Sequence, residues 1–400
     1  MQTHYKTQDL PIPLEARFLI DCLKVSLQQA DQDVLETYAD AAIDWDYVLE
    51  LTNDHLVYPL VYEALKDTFA DVMPEEIRSQ YQAIYMQNKL QSIVIMQELK
   101  RIVTLLADEG IMAVPVKGPL LSQVYPEPSL RSVGDLDISI ARNQIERAVD
   151  ILMANGYVKA VDMSAGQERL WIETRQGYEL DHPDLNVSLD IHSDITSGRS
   201  PIMLPRKQML KYLQEVQIDD VTMHVPTLEY LFFFLCIHGT KHLWMQFKSL
   251  CDLSQFLFHY ENRLDWRWIR KMARRRSGEK MIYLSLYMCE RIFNAPVPAE
   301  VRADYPDEII AIGDRLIESW LFVPGCTRFE ITKIKLTLLG NVMNQLDYFL
   351  RLVWIPQKHN MPNLPEQAAY YPVYYVIRPF QLAWNMLFKE ENKMFSTWTE

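Results

Sequence analysis

Glycine is scarce in this chain, 12 residues in 400. There is no G-x-G-x-x-G and no G-x-x-x-x-G-K-[ST]. The glycine loops that cradle a dinucleotide or wrap a triphosphate in a P-loop are therefore missing. Cysteine is scarce too. Cys22, Cys236, Cys251, Cys289 and Cys326 are odd in number, and no pair has metal-ligand spacing. That argues against a disulfide framework or a thiolate zinc site and fits a reducing cytosol. Long apolar runs are absent: the longest, Tyr230 to Ile237, is far too short to cross a bilayer. The opening MQTHYKTQDLPIP lacks the apolar stretch of a signal peptide. A cytoplasmic location without a membrane partner is the expectation. Positive charge is in deficit: 40 Lys and Arg against 53 Asp and Glu give a net charge of −13. Such a chain is not built to neutralise phosphates along a nucleic acid, and no nucleic-acid partner is expected.

What is present is apolar content of 49%, enough for a full core. The length corresponds to roughly two to three domains. Seven of the twelve glycines fall between Gly110 and Gly198, so turns should concentrate there. The expected class is α+β and mostly helical. Residues 1–109 read as an N-terminal helical region, 110–200 as a small α/β core, and 201–400 as a C-terminal helical region. Asp44 reads as a helix N-cap, and Pro74-Glu-Glu opens a helix to about Asp108 with acids in its first turn. Within the core, Ile111–Val116, Asp135–Ile140, Tyr157–Val161, Leu170–Leu180 and Asn186–His192 are strand candidates. Asn143–Asn155 is an amphipathic helix closed by Gly156. Thr227 is expected to cap the first helix of the last region. Prolines at 356, 362, 365, 372 and 379 make the final fifty residues irregular.

The chemistry-bearing residues cluster in the core. Asp135-Leu136-Asp137 opens an apolar strand. Asp-x-Asp alone says little, since Asp31/Asp33 and Asp44/Asp46 repeat it in helix-cap or surface settings. In a strand, however, period two sends both carboxylates to one face and Leu136 and Ile138 to the other. Two carboxylates on one face repel unless a cation lies between them, and hard oxygen ligands suit Mg²⁺ or Mn²⁺. A solvated strand end is the plain alternative. In Val187-Ser-Leu-Asp-Ile-His192, Asp190 and His192 share one face. If that strand neighbours the first, three carboxylates converge, an arrangement suited to in-line phosphoryl or nucleotidyl transfer. Lys117-Gly118 lies at a strand-to-helix junction, where a glycine admits a phosphate to a helix N-terminus and the lysine adds a cation. Arg131 has the fork to bind a triphosphate bidentately. An ordinary tight turn and a surface arginine are the alternatives.

The run VPVKGPLLSQVYPEPSLRSVGDLDISI, then a helix ending in Asn-Gly-Tyr, then SLDIH, resembles the uncharacterised nucleotidyltransferase family of the DNA polymerase β-like superfold. The resemblance spans about 14–290. It implies a mixed sheet with Asp135, Asp137 and Asp190 as metal ligands. It further implies Mg²⁺ or Mn²⁺ as cofactor and an NTP as donor. PTLEYLFFFLCIHGTKHLWMQFKSLCDLSQFL is similar to that family's paired-histidine helix. By that likeness His238, Lys241, His242 and Lys248 would line the nucleotide cleft with Lys117, Gly118 and Arg131. The superfold's turn carries Gly-Ser or Gly-Gly, whereas this chain has Gly118-Pro119, and proline offers a phosphate neither hydroxyl nor N–H.

The expected activity is Mg²⁺-dependent transfer of an NMP from an NTP to an unknown small-molecule or protein acceptor, with release of pyrophosphate. One rival is a non-catalytic protein that keeps the fold and acts through partners. Another is a metal-dependent phosphohydrolase built on His238, His242 and Asp252. His238 and His242 at i and i+4 share a helix face, but Gly239 stands where a zinc protease would need Glu. Asp252 reads as the i,i+4 partner of Lys248. Arg267, Arg270, Lys271, Arg274, Arg275 and Arg276 read as a solvated helix face, or as a dock for an anionic partner.

Overall fold

The computed structural model describes residues 5–320 except 133, 176 and 197–199, then 328–355, 373 and 375–380. Cys326 and the prolines at 356, 362, 365 and 372 lie outside the described residues. The fold is α+β and mostly helical. Its main sheet has five strands: β1 (Val114–Pro115), β2 (Asp135–Ser139), β3 (Val158–Lys159), β4 (Gly177–His182) and β5 (Val187–His192), in the order β1-β2-β5-β4-β3. Only β2 and β5 run parallel, so the sheet is mixed. Each has the other's apolar alternation. Leu136, Ile138, Leu189 and Ile191 are fully buried on one face, each worth about 1.5–3 kcal/mol of burial. Behind that face pack the second half of the Glu75–Asp108 helix and the Ile145–Met153 helix, through Leu99, Ile102, Leu106 and Leu152.

The other face of the sheet is polar, and the helices on that side come from both ends of the chain. The helices Leu14–Ser26 and Tyr58–Leu65 share one apolar core with Leu228–Lys241, Phe247–Tyr260 and Glu279–Phe293. Cys22, Cys236, Cys251 and Cys289 are buried there as free thiols. Asp44 caps its helix as expected, accepting from Tyr47 N. The long helix covers Glu75–Asp108 and ends before Gly110, which takes φ +71°.

Two segments depart from the sequence reading. Leu170–Leu180 is not one strand. Ala165–Arg175 is a helix, and the strand begins only at Gly177. A reciprocal cap explains it: Gln167 N donates to Ser164 Oγ, and Ser164 N donates to Gln167 Oε1, the Ser-x-x-Gln device that nucleates a helix. The stretch from 201 onward is not helical throughout: after the short Arg206–Met209 helix comes a hairpin. β6 (Leu213–Ile218) and β7 (Val221–Pro226) meet at a two-residue turn, where Asp219 adopts φ +52°. Met223 and Val225 bury one face of it against the sheet's core. Thr227 stands at the N-cap position of the following helix without a side-chain cap bond.

Candidate functional site

Parallel pairing aligns Asp135 with Ser188, Asp137 with Asp190 and Ser139 with His192. Partners directly opposite in a parallel pair point to the same face. The polar faces of β2 and β5 therefore form one surface. Asp137 is 4% exposed, and its Oδ1 lies 3.0 Å from His192 Nε2. One ligand atom each from Asp137, Asp190 and His192 fall within 4.8 Å of one another. Ser139 does not join them: Arg206 Nη1 donates to its carbonyl at 2.8 Å and its Oγ at 3.1 Å.

Lys117 reaches the same face from β1. Val116 N donates to Asp137 O, which carries the chain alongside β2 and delivers the lysine over the carboxylates. Its Nζ is 2.9 Å from Asp137 Oδ2 and 3.8 Å from Asp135 Oδ2. Asp135 is thus at the rim, its side chain 40% exposed, and it is not among the three converging ligands.

The charges reorder one another's protonation. Burial opposes ionisation of Asp137, yet Lys117 and His192 outweigh it and hold the carboxyl well below its ordinary range. Burial, reinforced by the charge of Asp137, pushes Asp190 up to about 7. Burial disfavours the charge on Lys117, but Asp137 and Asp135 keep the ammonium's pKa above its usual value. His192 follows the same logic, with burial overcome by its bond to Asp137.

The glycine turn sits beside this cluster. Gly118 has φ +72° and ψ −132° and precedes Pro119 at the first position of the short Pro119–Ser122 helix. A Cβ at 118 would also lie 3.3 Å from Asp135 O. Gly118→Ala is therefore expected to cost about 1–3 kcal/mol, read as a lower urea midpoint with unchanged slope. An unchanged midpoint would mean the turn relaxes freely.

Arg131 does not face outward. Its Nε and Nη2 donate to Asp252 at 2.6 and 2.9 Å, and its Nη1 donates to Gly118 O at 3.1 Å. Tyr125 Oη donates to the same carboxylate at 2.7 Å. The bidentate partner of Arg131 is thus a carboxylate of this chain, and its third contact braces the glycine turn. Asp252 is correspondingly the partner of Arg131 and Tyr125, not of Lys248. Lys248 lies half-buried near the same place. Burial, together with the charges of Arg131 and Lys117, lowers its pKa to about 8.

The His238 and His242 rings lie one turn apart, with centroids 5.2 Å apart and planes tilted by 56°. Burial, with Lys117 and Lys241 adding to it at His238 and Lys241 and His238 at His242, drives both pKa values well below the ordinary imidazole range. His238 is within electrostatic reach of Lys117, Asp137 and His192, so this helix end faces the carboxylate cluster. Gly239 has a packing reason. A Cβ there would fall 2.3 Å from the Trp244 indole, which folds back onto the helix. With both Asp252 oxygens engaged by Arg131, no group of three ligands forms around His238, His242 and Asp252 among the described residues.

The basic helix Trp266–Arg276 lines a separate groove of about 620 Å³, walled by Arg267, Arg270, Lys271 and Arg274. Arg270 pairs with Asp304, and Arg274 with Glu279 at 3.0 Å. None of the converging carboxylates borders it.

His192 is the residue the sequence reading placed on the right face but left out of the site. Its signal was its period-two spacing from Asp190. The donor set suits a divalent cation: two carboxylate oxygens and an imidazole nitrogen converge. Among the described residues, no helix is long and apolar enough to cross a membrane. No curated protein matches the chain. The model of one family matches residues 41–294, beginning later than the 14–290 expected and leaving the Leu14–Ser26 helix outside. With nearly two-thirds of its length covered and the Asp-x-Asp strand, the glycine turn and the acidic partner strand all inside the match, the chain belongs to the uncharacterised nucleotidyltransferases.

Proposed function

We propose that the protein transfers an NMP from an NTP to a hydroxyl or phosphate of a small-molecule or protein acceptor, with Mg²⁺ or Mn²⁺ as cofactor. The observation that carries this reading is the convergence of Asp137 and Asp190 across β2 and β5, beside the Lys117-Gly118 turn. The acceptor oxygen bonds to the α-phosphorus, the bond to the β-bridging oxygen breaks, and pyrophosphate leaves. When bound, the cation supplies charge stabilisation to the transferring phosphoryl group. Asp137 and Asp190 hold it, and Asp135 at the rim faces the incoming nucleotide. Asp190, opposite Asp137 on the same face of the sheet, is placed to take the proton of the acceptor hydroxyl. Lys117 and Lys248 offset the triphosphate charge. Gly118 lets the phosphates approach the backbone, and Arg131 supports that turn from behind. His238, Lys241 and His242 border the nucleotide from the helical side.

A thermal-shift panel tests this, with ATP, GTP, CTP and UTP, each without a cation, with Mg²⁺ and with Mn²⁺. A ligand that binds only the folded state raises the melting temperature by mass action. A cation-dependent rise with at least one nucleotide is expected; no rise with any nucleotide and either cation would overturn the reading. A non-catalytic role is the second reading. It is favoured by Pro119, which has no N–H for a phosphate, and by Lys117, which already offsets part of the charge of the Asp135–Asp137 pair. Binding without turnover in acceptor screens would select it.

Lys248 gives a pH signature. Its folded pKa, about 8, lies below the ordinary 10.5. Its charge is therefore disfavoured in the native state at neutral pH, and the ligand-free chain gains stability as pH rises from about 8 toward 10.5. Nucleotide affinity should move the other way, because the ammonium that meets the phosphates is lost. A charge-assisted bond contributes about 1.5–3 kcal/mol, so affinity should fall about tenfold or more between pH 7.5 and 9.5. Lys248→Met should abolish that slope and raise the neutral-pH melting temperature. An unchanged slope in calorimetric titrations of the variant would remove Lys248 from the site.

A further inference from the structure

We propose that His192 is a direct metal ligand, and that Asp137, Asp190 and His192 form a single mixed nitrogen–oxygen centre that takes Mn²⁺ in preference to Mg²⁺. The inference rests on the reading above, that the carboxylate cluster holds a divalent cation, and adds which donors hold it and which cation they select.

Geometry carries the ligand assignment. His192 follows Asp190 by two residues, so both side chains leave β5 on the same face. Its neighbours across the sheet are small, Ser139 on β2 and Gly177 on β4. The imidazole therefore has room to lean toward Asp137, where its Nε2 lies 3.0 Å from Oδ1. Adjacent ligands of an octahedral cation with bonds of about 2.1 Å are themselves about 3 Å apart. The spacing now bridged by a hydrogen bond is thus the spacing a shared cation would require. All three donor atoms lie within 4.8 Å, which a cation closes with small side-chain rotations.

Charge carries the count. A second cation position between Asp135 and Asp137 would complete a two-metal site, but Lys117 Nζ stands there, 3.8 and 2.9 Å from the two carboxylates. The lysine is a fixed monovalent cation in that place, which leaves room for one metal.

Ligand chemistry carries the selectivity. Mg²⁺ strongly prefers oxygen and holds its waters, whereas a first-row transition cation accepts imidazole as readily as carboxylate. Replacing one oxygen by nitrogen therefore tilts the site toward Mn²⁺.

Electron paramagnetic resonance of the full-length protein with Mn²⁺ tests all three parts and needs no substrate. The expected result is one Mn²⁺ bound per chain, with ¹⁴N coupling in the pulsed spectrum and only weak competition from Mg²⁺. His192→Asp should keep a bound cation, lose the ¹⁴N coupling and shift preference toward Mg²⁺. His192→Ala should weaken Mn²⁺ by about tenfold or more. Bound Mn²⁺ without ¹⁴N coupling in the wild type, or coupling that persists in His192→Asp, would overturn the ligand assignment while leaving the carboxylate site standing. Two equivalent Mn²⁺ per chain would overturn the single centre. No Mn²⁺ binding by folded wild-type protein would overturn the metal reading itself.

Discussion

Asp137→Asn should abolish the Mg²⁺-dependent stabilisation by nucleotide and reduce transfer by about three orders of magnitude, the equivalent of several kcal/mol of lost charge stabilisation. Asp137 is the carboxylate that touches both His192 and Lys117. Its Oδ1 meets His192 and its Oδ2 meets Lys117. An amide in its place presents one oxygen, no charge and an N–H₂ where an acceptor is needed. The substitution also bears on stability. The folded pKa of Asp137 is depressed, so its contribution is present above the ordinary carboxylate pKa and lost as pH falls through the folded value. The variant should therefore be less stable than wild type at pH 7, and the gap should narrow in strong acid. Urea denaturation at pH 7 shows whether the variant is folded in the activity assay. Full transfer activity in folded Asp137→Asn would refute the mechanism.

Asp252→Ala should be among the most destabilising single changes in the chain. It would strand the Arg131 guanidinium, 5% exposed, without its bidentate partner and leave Tyr125 Oη unpaired. Breaking one side of a buried ion pair costs about 3–5 kcal/mol. Arg131→Ala should cost a similar amount, since it leaves the Asp252 carboxylate buried with Tyr125 as its one remaining partner among these contacts. The double replacement Arg131→Met with Asp252→Leu should be milder than either, because well-packed apolar side chains replace an ion pair at little net cost. Chemical denaturation of Arg131→Met, Asp252→Leu and their double variant gives the coupling energy directly. Additive losses would mean that the two residues act separately. Nucleotide binding should weaken in the double variant even where stability recovers, because Gly118 O has lost its donor. That split separates a strut of the phosphate turn from a purely structural ion pair.

The sheet and its carboxylates were legible because strand periodicity is a local property. DLDISI and VSLDIH each alternate over enough residues to fix which side chains share a face, whatever lies around them. The long helix was legible for the same reason, with acids at its start and a glycine after its end. The departures are also local. Leu170–Leu180 has the apolar content of a strand, but the Ser164–Gln167 cap makes its first half helical. The hairpin 213–226 carried alternating Val216, Ile218, Val221, Met223 and Val225 around Asp219-Asp220. It was absorbed into a helical region because its strands are short and one face is polar.

By itself, the sequence determined that Asp135 and Asp137 share one strand face, that Asp190 and His192 share another, and that Lys117-Gly118 turns beside a helix start. Those facts follow from backbone periodicity and from the φ that only glycine takes easily. Only the tertiary structure decided that β2 pairs with β5 in the register that sets Asp137 against Asp190. It also withdrew Arg131 from the ligand side, brought His192 to the cluster, and left Asp135 at the rim against Lys117. Each of these depends on a contact between residues far apart in the chain: Arg131 with Asp252, Ser139 with Arg206, Asp137 with His192. A buried charge takes the partner that the packing of other elements brings within about 3 Å, and no spacing within one segment encodes which partner that will be.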